Sequence, residues 1–197
     1  MSAAWDLLLV EHTIVHAPAA GNPDALARDP FALDLPDADL RRRPHGLNSV
    51  AWCLYHTARS EDVGVNRFVV GQPELFDEED WIARLGVPHR HTGAGMTDPE
   101  VDDLSARIDL DALKAYRLAV GRRTRAVIPR LDAFPLADLV DPALVDACVA
   151  DGTAHPALPP HAVRRSWAGR TRGWFLFLAG GHNLMHLGEA VTIRSRL

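Results

Sequence analysis

Helical periodicity is the sequence feature that most restricts how this chain can fold. Apolar residues recur at three- and four-residue spacing in long segments, with no convincing run of the alternation that a half-buried strand requires. The four long segments are residues 5–17, 49–70, 109–134 and 170–197. Shorter helices are predicted near residues 77–86, 97–108 and 142–150, and the proline-rich stretch 18–36 is predicted to be a loop. This pattern predicts an all-α four-helix bundle with short extra helices in its connecting loops.

The length of the chain indicates one domain, residues 1–197. A chain of 197 residues can bury a sizeable core but is short for two domains of ordinary size. Apolar residues make up 47% of it and charged residues 24%, which is the balance of a globular protein and not of a disordered one. We expect the chain to fold alone or as a small oligomer such as a homodimer.

Charge and hydropathy argue against nucleic-acid and membrane partners. The formal net charge is -5, whereas gripping a phosphate backbone needs a net basic surface. The arginines at 41–43 are a local basic cluster, which we interpret as a solvated helix end. The longest apolar run, "WFLFLAGG", is far shorter than the roughly 20 residues of a membrane-spanning helix. A small molecule is therefore the expected partner.

The cysteines and the N-terminus favour a cytoplasmic location. Cys53 and Cys148 are the only cysteines, so no disulfide framework can hold the fold together, and a reducing compartment fits better. The N-terminal segment has no cationic lead-in and carries Asp6 and Glu11, which makes it a poor signal peptide.

A pair of histidines near the C-terminus is the first candidate for chemistry. In "GGHNLMHLGEA", residues 180–190, His182 and His186 are four positions apart and so share one helix face. Their nitrogens could bind one metal ion at roughly 2.0–2.1 Å. Glu189 falls on the same face one turn later. It could ligate the ion, but orienting a histidine or acting as a general base is the favoured interpretation.

His56 is the best candidate for a third ligand. It lies in the middle of a long and otherwise apolar helix, where an unpaired imidazole would be costly to bury. Cys53, three residues earlier, is a candidate for a softer fourth ligand, although a buried free thiol is the commoner state of cysteine. His12 and His16 form a second HxxxH on the first helix and are the rival pair. From the residues alone, a metal site and a set of hydrogen-bonded core histidines both stay open.

Other sequence signals have less weight. Gly180, Gly181 and Gly188 surround the C-terminal histidines and predict close helix packing there. The remaining histidines considered are assigned to loops, at positions 89, 91, 155 and 161. The chain has no GxSxG, CxxC, HExxH or phosphate-binding glycine loop, so the common enzyme classes that depend on them have no support.

Two segments resemble the signatures of the DinB-like superfamily of helical metalloproteins. They are "NSVAWCLYHTARSED", residues 48–62, and "GHNLMHLGEA", residues 181–190, and the resemblance extends over about residues 5–195. It implies a four-helix fold with a three-histidine site for a divalent metal, usually zinc or nickel. The positions that match those ligands are His56, His182 and His186. Glu189 stands where many members have glutamine.

The resemblance also implies a reaction class. Characterised members use a low-molecular-weight thiol such as mycothiol or bacillithiol, and the metal lowers the pKa of the thiol so that the thiolate attacks an electrophile. Our leading interpretation is a metal-dependent thiol S-transferase or isomerase. The alternatives are a metal-dependent hydrolase with bound water as nucleophile, and a non-catalytic, metal-stabilised stress-response bundle.

Overall fold

The described part of the chain is all-helical, as the periodicity predicted. The structure, a computed structural model, describes residues 3–16 and 35–197, so the loop predicted at 18–36 lies mostly outside the described residues. The α-helices found in these ranges are α1 (Ala3–Val15), α2 (Asp37–Arg41), α3 (Val50–Asp62), α4 (Leu75–Glu78), α5 (Trp81–Leu85), α6 (Asp98–Arg107), α7 (Leu110–Val127), α8 (Pro142–Ala150), α9 (Pro160–Trp167) and α10 (Gly181–Arg194). The irregular helices are 3-10 turns at Pro44–Gly46, Ile128–Ala133 and Arg172–Ala179, and a π-helix at Val63–Val70.

The four longest helices, α1, α3, α7 and α10, contact one another in a ring. Helix α3 contacts both α7 and α10, and α1 also contacts both α7 and α10. All thirteen residues of α3 are buried. Its first turn is capped by Ser49, whose hydroxyl accepts a hydrogen bond of 2.9 Å from the Trp52 amide. No helix of the described residues combines the length and the apolar character needed to cross a membrane.

Because α3 is buried on every side, its charged residues must find partners inside the protein. The guanidinium of Arg59 donates to Glu74 at 2.7 Å and to the Tyr116 hydroxyl at 3.1 Å. The carboxylate of Asp62 accepts from the Tyr116 hydroxyl at 2.7 Å and from two amides at the start of α4. A buried charge is tolerated when its hydrogen bonds are made, so this network lets a polar helix occupy the centre of the fold.

The last helix begins later than predicted. The sequence suggested one helix from residue 170, but the chain forms a 3-10 segment up to Ala179, breaks at Gly180 and only then enters α10. A Cβ added at Gly181 would lie 2.6 Å from the ring of Phe177, so a larger residue here would require this ring to move. The prediction of tight packing was wrong at Gly188, where an added Cβ would meet nothing within 4 Å.

Smaller differences have local causes. Pro129 follows the end of α7, whose next turn is 3-10, as the missing amide of proline predicts. Helix α9 was not predicted, and it places His161 on an exposed helical position instead of in a loop. The arginine cluster at 41–43 is not simply solvated, because the guanidinium of Arg43 is 10% exposed and pairs with two carboxylates of α6 at 2.5 and 2.8 Å.

Candidate metal centre

Three predicted ligands meet where α3 packs against α10. His56 comes from the middle of α3, while His182 and His186 come from the first two turns of α10. The ring centroids form a nearly equilateral triangle with sides of 5.0, 4.6 and 4.7 Å. One ligand nitrogen from each ring lies within 4.8 Å of the other two. The direct contact of these two helices therefore gathers residues that are about 130 positions apart in the chain.

The orientation of the rings suits a single ion. The three pairs of ring planes make angles of 62°, 83° and 69°. An imidazole lone pair lies in the plane of its ring, so three rings at steep angles can aim their lone pairs at one point. An ion at that point would sit about 2.0–2.1 Å from each nitrogen. The donor set fits a divalent metal.

Hydrogen bonds fix the tautomers of two of the rings. His56 Nδ1 lies 2.7 Å from the Thr92 carbonyl oxygen, which can only accept, so His56 donates from Nδ1 and keeps its lone pair on Nε2. His186 Nδ1 likewise donates to Glu189 Oε2 at 2.7 Å. A histidine that binds metal through one nitrogen usually donates from the other in this way.

The third ring carries an unpaired atom. His182 Nδ1 is buried and has no hydrogen-bond partner among the described residues. Leaving a buried polar atom unpaired is unusual because it costs free energy. Coordination of an ion through Nδ1 would offset that cost, whereas coordination through Nε2 would leave Nδ1 without a partner.

Helix α3 also holds the loop that orients His56. Tyr55, His56 and Arg59 donate hydrogen bonds of 2.7–3.1 Å to the three consecutive carbonyls of residues 90–92. The indole of Trp52 stacks on the His56 ring at a centroid distance of 4.7 Å and an angle of 15°. The His56 ring is thus held by a carbonyl at one nitrogen and by an indole on one face.

The electrostatics keep the imidazoles of His56 and His182 neutral. Burial first, and the two neighbouring imidazoles second, lower the pKa of His56 to about 3. Burial and the charge of His186 lower the pKa of His182 to about 4. At neutral pH both rings have a free lone pair, which coordination of a cation requires.

Glu189 lies behind His186 and not among the three nitrogens. Its Oε2 accepts from His186, and its Oε1 accepts from Asn48 Nδ2 at 2.7 Å. Burial by itself would raise the pKa of Glu189, but these hydrogen bonds hold it below its ordinary value. The Cys53 sulfur lies within 4.8 Å of ligand atoms of His186 and Glu189. Burial, together with the charge of Glu189, raises the pKa of the Cys53 thiol well above its usual range.

The rival pair has a different geometry. The rings of His12 and His16 are stacked, with centroids 4.6 Å apart and planes within 14° of parallel. Lone pairs in nearly parallel stacked planes converge poorly on one ion, although these residues and Glu61 place ligand atoms within 4.8 Å of one another. Both histidine pairs thus have the spacing HxxxH, and the relative orientation of their rings distinguishes one pair from the other.

Glu61 explains why His12 and His16 are buried. Its two carboxylate oxygens lie 3.1 Å from His12 Nε2 and 2.8 Å from His16 Nε2, and Asn183 Nδ2 donates to it at 2.6 Å. Burial lowers the pKa of His16 to about 4, so its imidazole is neutral and donates an N–H to the carboxylate. This carboxylate joins α1, α3 and α10. Sequence reasoning gave it no role, although it stands five residues after His56.

The other predicted loop histidines do not form a comparable site. His91 and His155 lie in loops, as predicted; both are buried, and each accepts a backbone N–H at Nδ1. A neutral ring that accepts at Nδ1 carries its proton on Nε2 and has no lone pair left for a metal. His89 stacks on His91 at 3.7 Å. We interpret this cluster as packing.

A cavity opens beside the candidate metal centre. It has a volume of about 210 Å³, and the rings of His56 and His182 form part of its wall. Much of the remaining wall is aromatic and comes from the π-helix and from the 3-10 segment before α10. Sequence reasoning missed these residues because "WFLF" was treated only as an apolar run.

The described residues define an all-helical protein in which three imidazoles place ligand nitrogens within 4.8 Å of one another. The family model of the DinB superfamily matches residues 29–190, and the chain belongs to the DinB superfamily. The resemblance of the two sequence segments to this superfamily is confirmed. A comparison with curated proteins found no match.

Proposed function

We propose that the protein binds a divalent metal ion through His56, His182 and His186 and uses it to activate a low-molecular-weight thiol for S-transfer or isomerisation. The observation that carries the proposal is the set of three steeply inclined imidazoles beside a cavity. A bound divalent ion supplies Lewis acidity, which lowers the pKa of a thiol. In the transfer, the thiolate sulfur bonds to an electrophilic carbon while the leaving group departs with its electron pair, and the thiol proton passes to solvent.

The protein's own residues would position the ion and the reactants. The Thr92 carbonyl orients His56, and Glu189 orients His186 and increases the electron density of its ring. Since both oxygens of Glu189 already accept hydrogen bonds, we assign it an orienting role first and a proton-accepting role second.

The cavity favours catalysis over a purely structural metal. A structural site is closed by four protein ligands, whereas a catalytic one keeps a position for water or substrate. His56 and His182 both line the cavity, and the Cys53 thiol does not belong to the set of three imidazoles but lies beside His186 and Glu189. A hydrolase with the same ligands and bound water is the second candidate, because the same open position would serve it.

The remaining expectations follow from this proposal. Three imidazole nitrogens suit zinc or nickel, and the thiol would be of the mycothiol or bacillithiol kind. We propose a cytoplasmic location, where the two free cysteines stay reduced. The partners would be small molecules and no nucleic acid, with a homodimer as the proposed assembly.

An assay with and without thiol tests the proposed reaction. Zinc-loaded and nickel-loaded protein would be incubated with 1-chloro-2,4-dinitrobenzene in the presence or absence of mycothiol or bacillithiol, with His186→Ala as the control. We expect turnover only when both metal and thiol are present. Equal turnover without thiol would favour the hydrolase, and equal turnover by the His186→Ala variant would contradict a role for the metal.

Loss of the Glu189 side chain is expected to weaken metal binding by about 10–100-fold, because the Nδ1–H of His186 loses its acceptor. Competition titration with a chromophoric chelator would measure the change in Kd for Glu189→Ala. Glu189→Gln is the matched control, since it keeps an acceptor oxygen and should weaken binding less. Equal affinity of the alanine variant and the wild type would contradict the orienting role.

A further inference from the structure

The cavity beside His56 and His182 is formed by two irregular helical segments. They are the π-helix Val63–Val70 and the 3-10 segment Arg172–Ala179, which pack directly on each other. Gly64 permits their close approach, because an added Cβ would lie 2.7 Å from Leu178 Cδ1. Departures from α-helical geometry of this kind are frequent at functional sites. The cavity thus lies where two irregular segments pack closely on each other, beside α3 and the start of α10.

Its wall contains a continuous series of aromatic rings. Trp167 contacts Phe68 with centroids 5.6 Å apart, Phe68 contacts Phe175 at 4.3 Å, and Phe175 contacts Trp174 at 5.2 Å. Phe68 and Phe175 are each 1% exposed, whereas Trp174 is 37% exposed. The aromatic wall therefore runs from the protein interior to the surface at Trp174.

The polarity of the cavity limits what it can bind. No Asp, Glu, Lys or Arg side chain of the described residues lines it. Apart from the two imidazoles, the lining side chains with hydrogen-bonding groups are Ser60, Thr92 and the indoles of Trp167 and Trp174, and the Thr92 carbonyl already accepts a hydrogen bond from His56. A charged or polyhydroxylated group would lose its hydration here without replacement hydrogen bonds. The cavity suits an uncharged apolar group.

Its volume indicates the size of that group. An apolar cavity of about 150 Å³ lined by Leu, Ile and Phe side chains is known to bind benzene. A cavity of about 210 Å³ is larger and would hold a substituted benzene or a fused bicyclic ring. Flat rings also gain from stacking and edge contacts with an aromatic wall.

We infer that this cavity binds the uncharged, ring-bearing part of the substrate and directs it towards His56 and His182. The polar body of a sugar-containing thiol would stay outside and present only its sulfur. The existence of an apolar binding site is inferred from the cavity alone, whereas its role in binding the electrophile rests on the proposed function. The class of substrate is therefore an aromatic or similarly apolar electrophile.

Calorimetric titration of the full chain with two probes tests this inference. The uncharged probe is 1-naphthol and the matched anionic probe is 1-naphthalenesulfonate, and each is titrated into metal-free and zinc-loaded protein. We expect 1-naphthol to bind in both states and, in the metal-free protein, the sulfonate to bind at least about tenfold more weakly, because the metal-free cavity offers no cation. Equal binding of the two probes by the metal-free protein would overturn the inference.

Variants locate the binding. Ala94 is half-buried and lines the cavity, so Ala94→Leu should fill it and weaken 1-naphthol binding by about tenfold or more. Ala143→Leu, at an exposed position of α8, is the control and should bind as the wild type does. Trp174→Ala removes the part-exposed wall ring and should also weaken binding. Unchanged affinity in both cavity variants would place the probe elsewhere and refute the assignment.

The two proposals can fail separately. Binding of 1-naphthol to metal-free protein requires neither the ion nor a thiol, so it reports on the cavity alone. If 1-naphthol binds as expected and no thiol-dependent turnover is found, the proposed reaction fails and the apolar site stands. If turnover is found and Ala94→Leu leaves both probe binding and the KM for the electrophile unchanged, the cavity assignment fails and the reaction stands.

Discussion

Replacement of His186 by alanine is expected to abolish stoichiometric metal binding. The three imidazoles supply every protein ligand of the proposed centre, and the loss of one leaves two nitrogens from different helices. Two imidazole ligands bind an ion far more weakly than three, and the vacated position exposes the ion to competing water. We expect the metal content to fall from about one ion per chain to less than about a tenth.

Elemental analysis of protein purified without added metal would measure this loss. His56→Ala should lose the metal to the same extent, since it contributes the ligand from α3. The matched control is His161→Ala, which removes an exposed histidine from α9 and should keep the ion. His12→Gln should also keep it, because the stacked rings of the rival pair hold a carboxylate. Stoichiometric metal in both His56→Ala and His186→Ala would contradict the assignment.

Glu61→Ala is expected to lower the free energy of unfolding by about 3–5 kcal/mol. The carboxylate is fully buried and lies within hydrogen-bond distance of His12, His16 and Asn183. Without it, three polar groups from α1 and α10 lose their partner in a region that water does not reach, and each unsatisfied group costs about 1–3 kcal/mol. The lost hydrogen bonds would weaken the packing of α1 and α10 against α3.

Urea denaturation followed by circular dichroism would measure the change. Glu79→Ala is the matched control, because this carboxylate is exposed and its removal should alter stability by no more than about 0.5 kcal/mol. The comparison should be made on chelator-treated protein so that metal binding does not contribute. A decrease of less than about 1 kcal/mol for Glu61→Ala would show that the network contributes little to the fold.

The long helices were predictable because their signal is local. Helices α1, α3, α7 and α10 each bury one or more faces, and burial of a helix face leaves apolar residues at helical spacing in the sequence. The start of α10 was placed too early because "WFLFLAGG" is apolar enough to continue a helix. The break depends on the packing of Phe177 against Gly181, which spacing does not reveal.

The candidate site was only partly visible in the sequence. The spacing of His182 and His186 predicts that they share a face on any α-helix. The choice of His56 as their partner relied on an apolar helical context and on the resemblance to a family. The aromatic cavity had no sequence signal of its own, because its wall is assembled from α3, two irregular segments and Trp167.

The two HxxxH pairs show where sequence reasoning ends. His12 and His16 have the same spacing as His182 and His186, so helical geometry treats them alike. The tertiary structure places a carboxylate opposite the first pair and a third imidazole opposite the second. The rings of His12 and His16 stack where they face the Glu61 carboxylate, whereas the rings of His182 and His186 are steeply inclined where they face His56.

The amino-acid sequence by itself determined the helical class, the positions of the four long helices and the pair of histidines on the last of them. These properties depend on interactions between residues a few positions apart, which periodicity records. Only the tertiary structure decided which histidines converge, which carboxylate is buried between helices and where the apolar cavity opens. Those features depend on contacts between helices that are distant in the chain, and such contacts arise only when the whole core is packed.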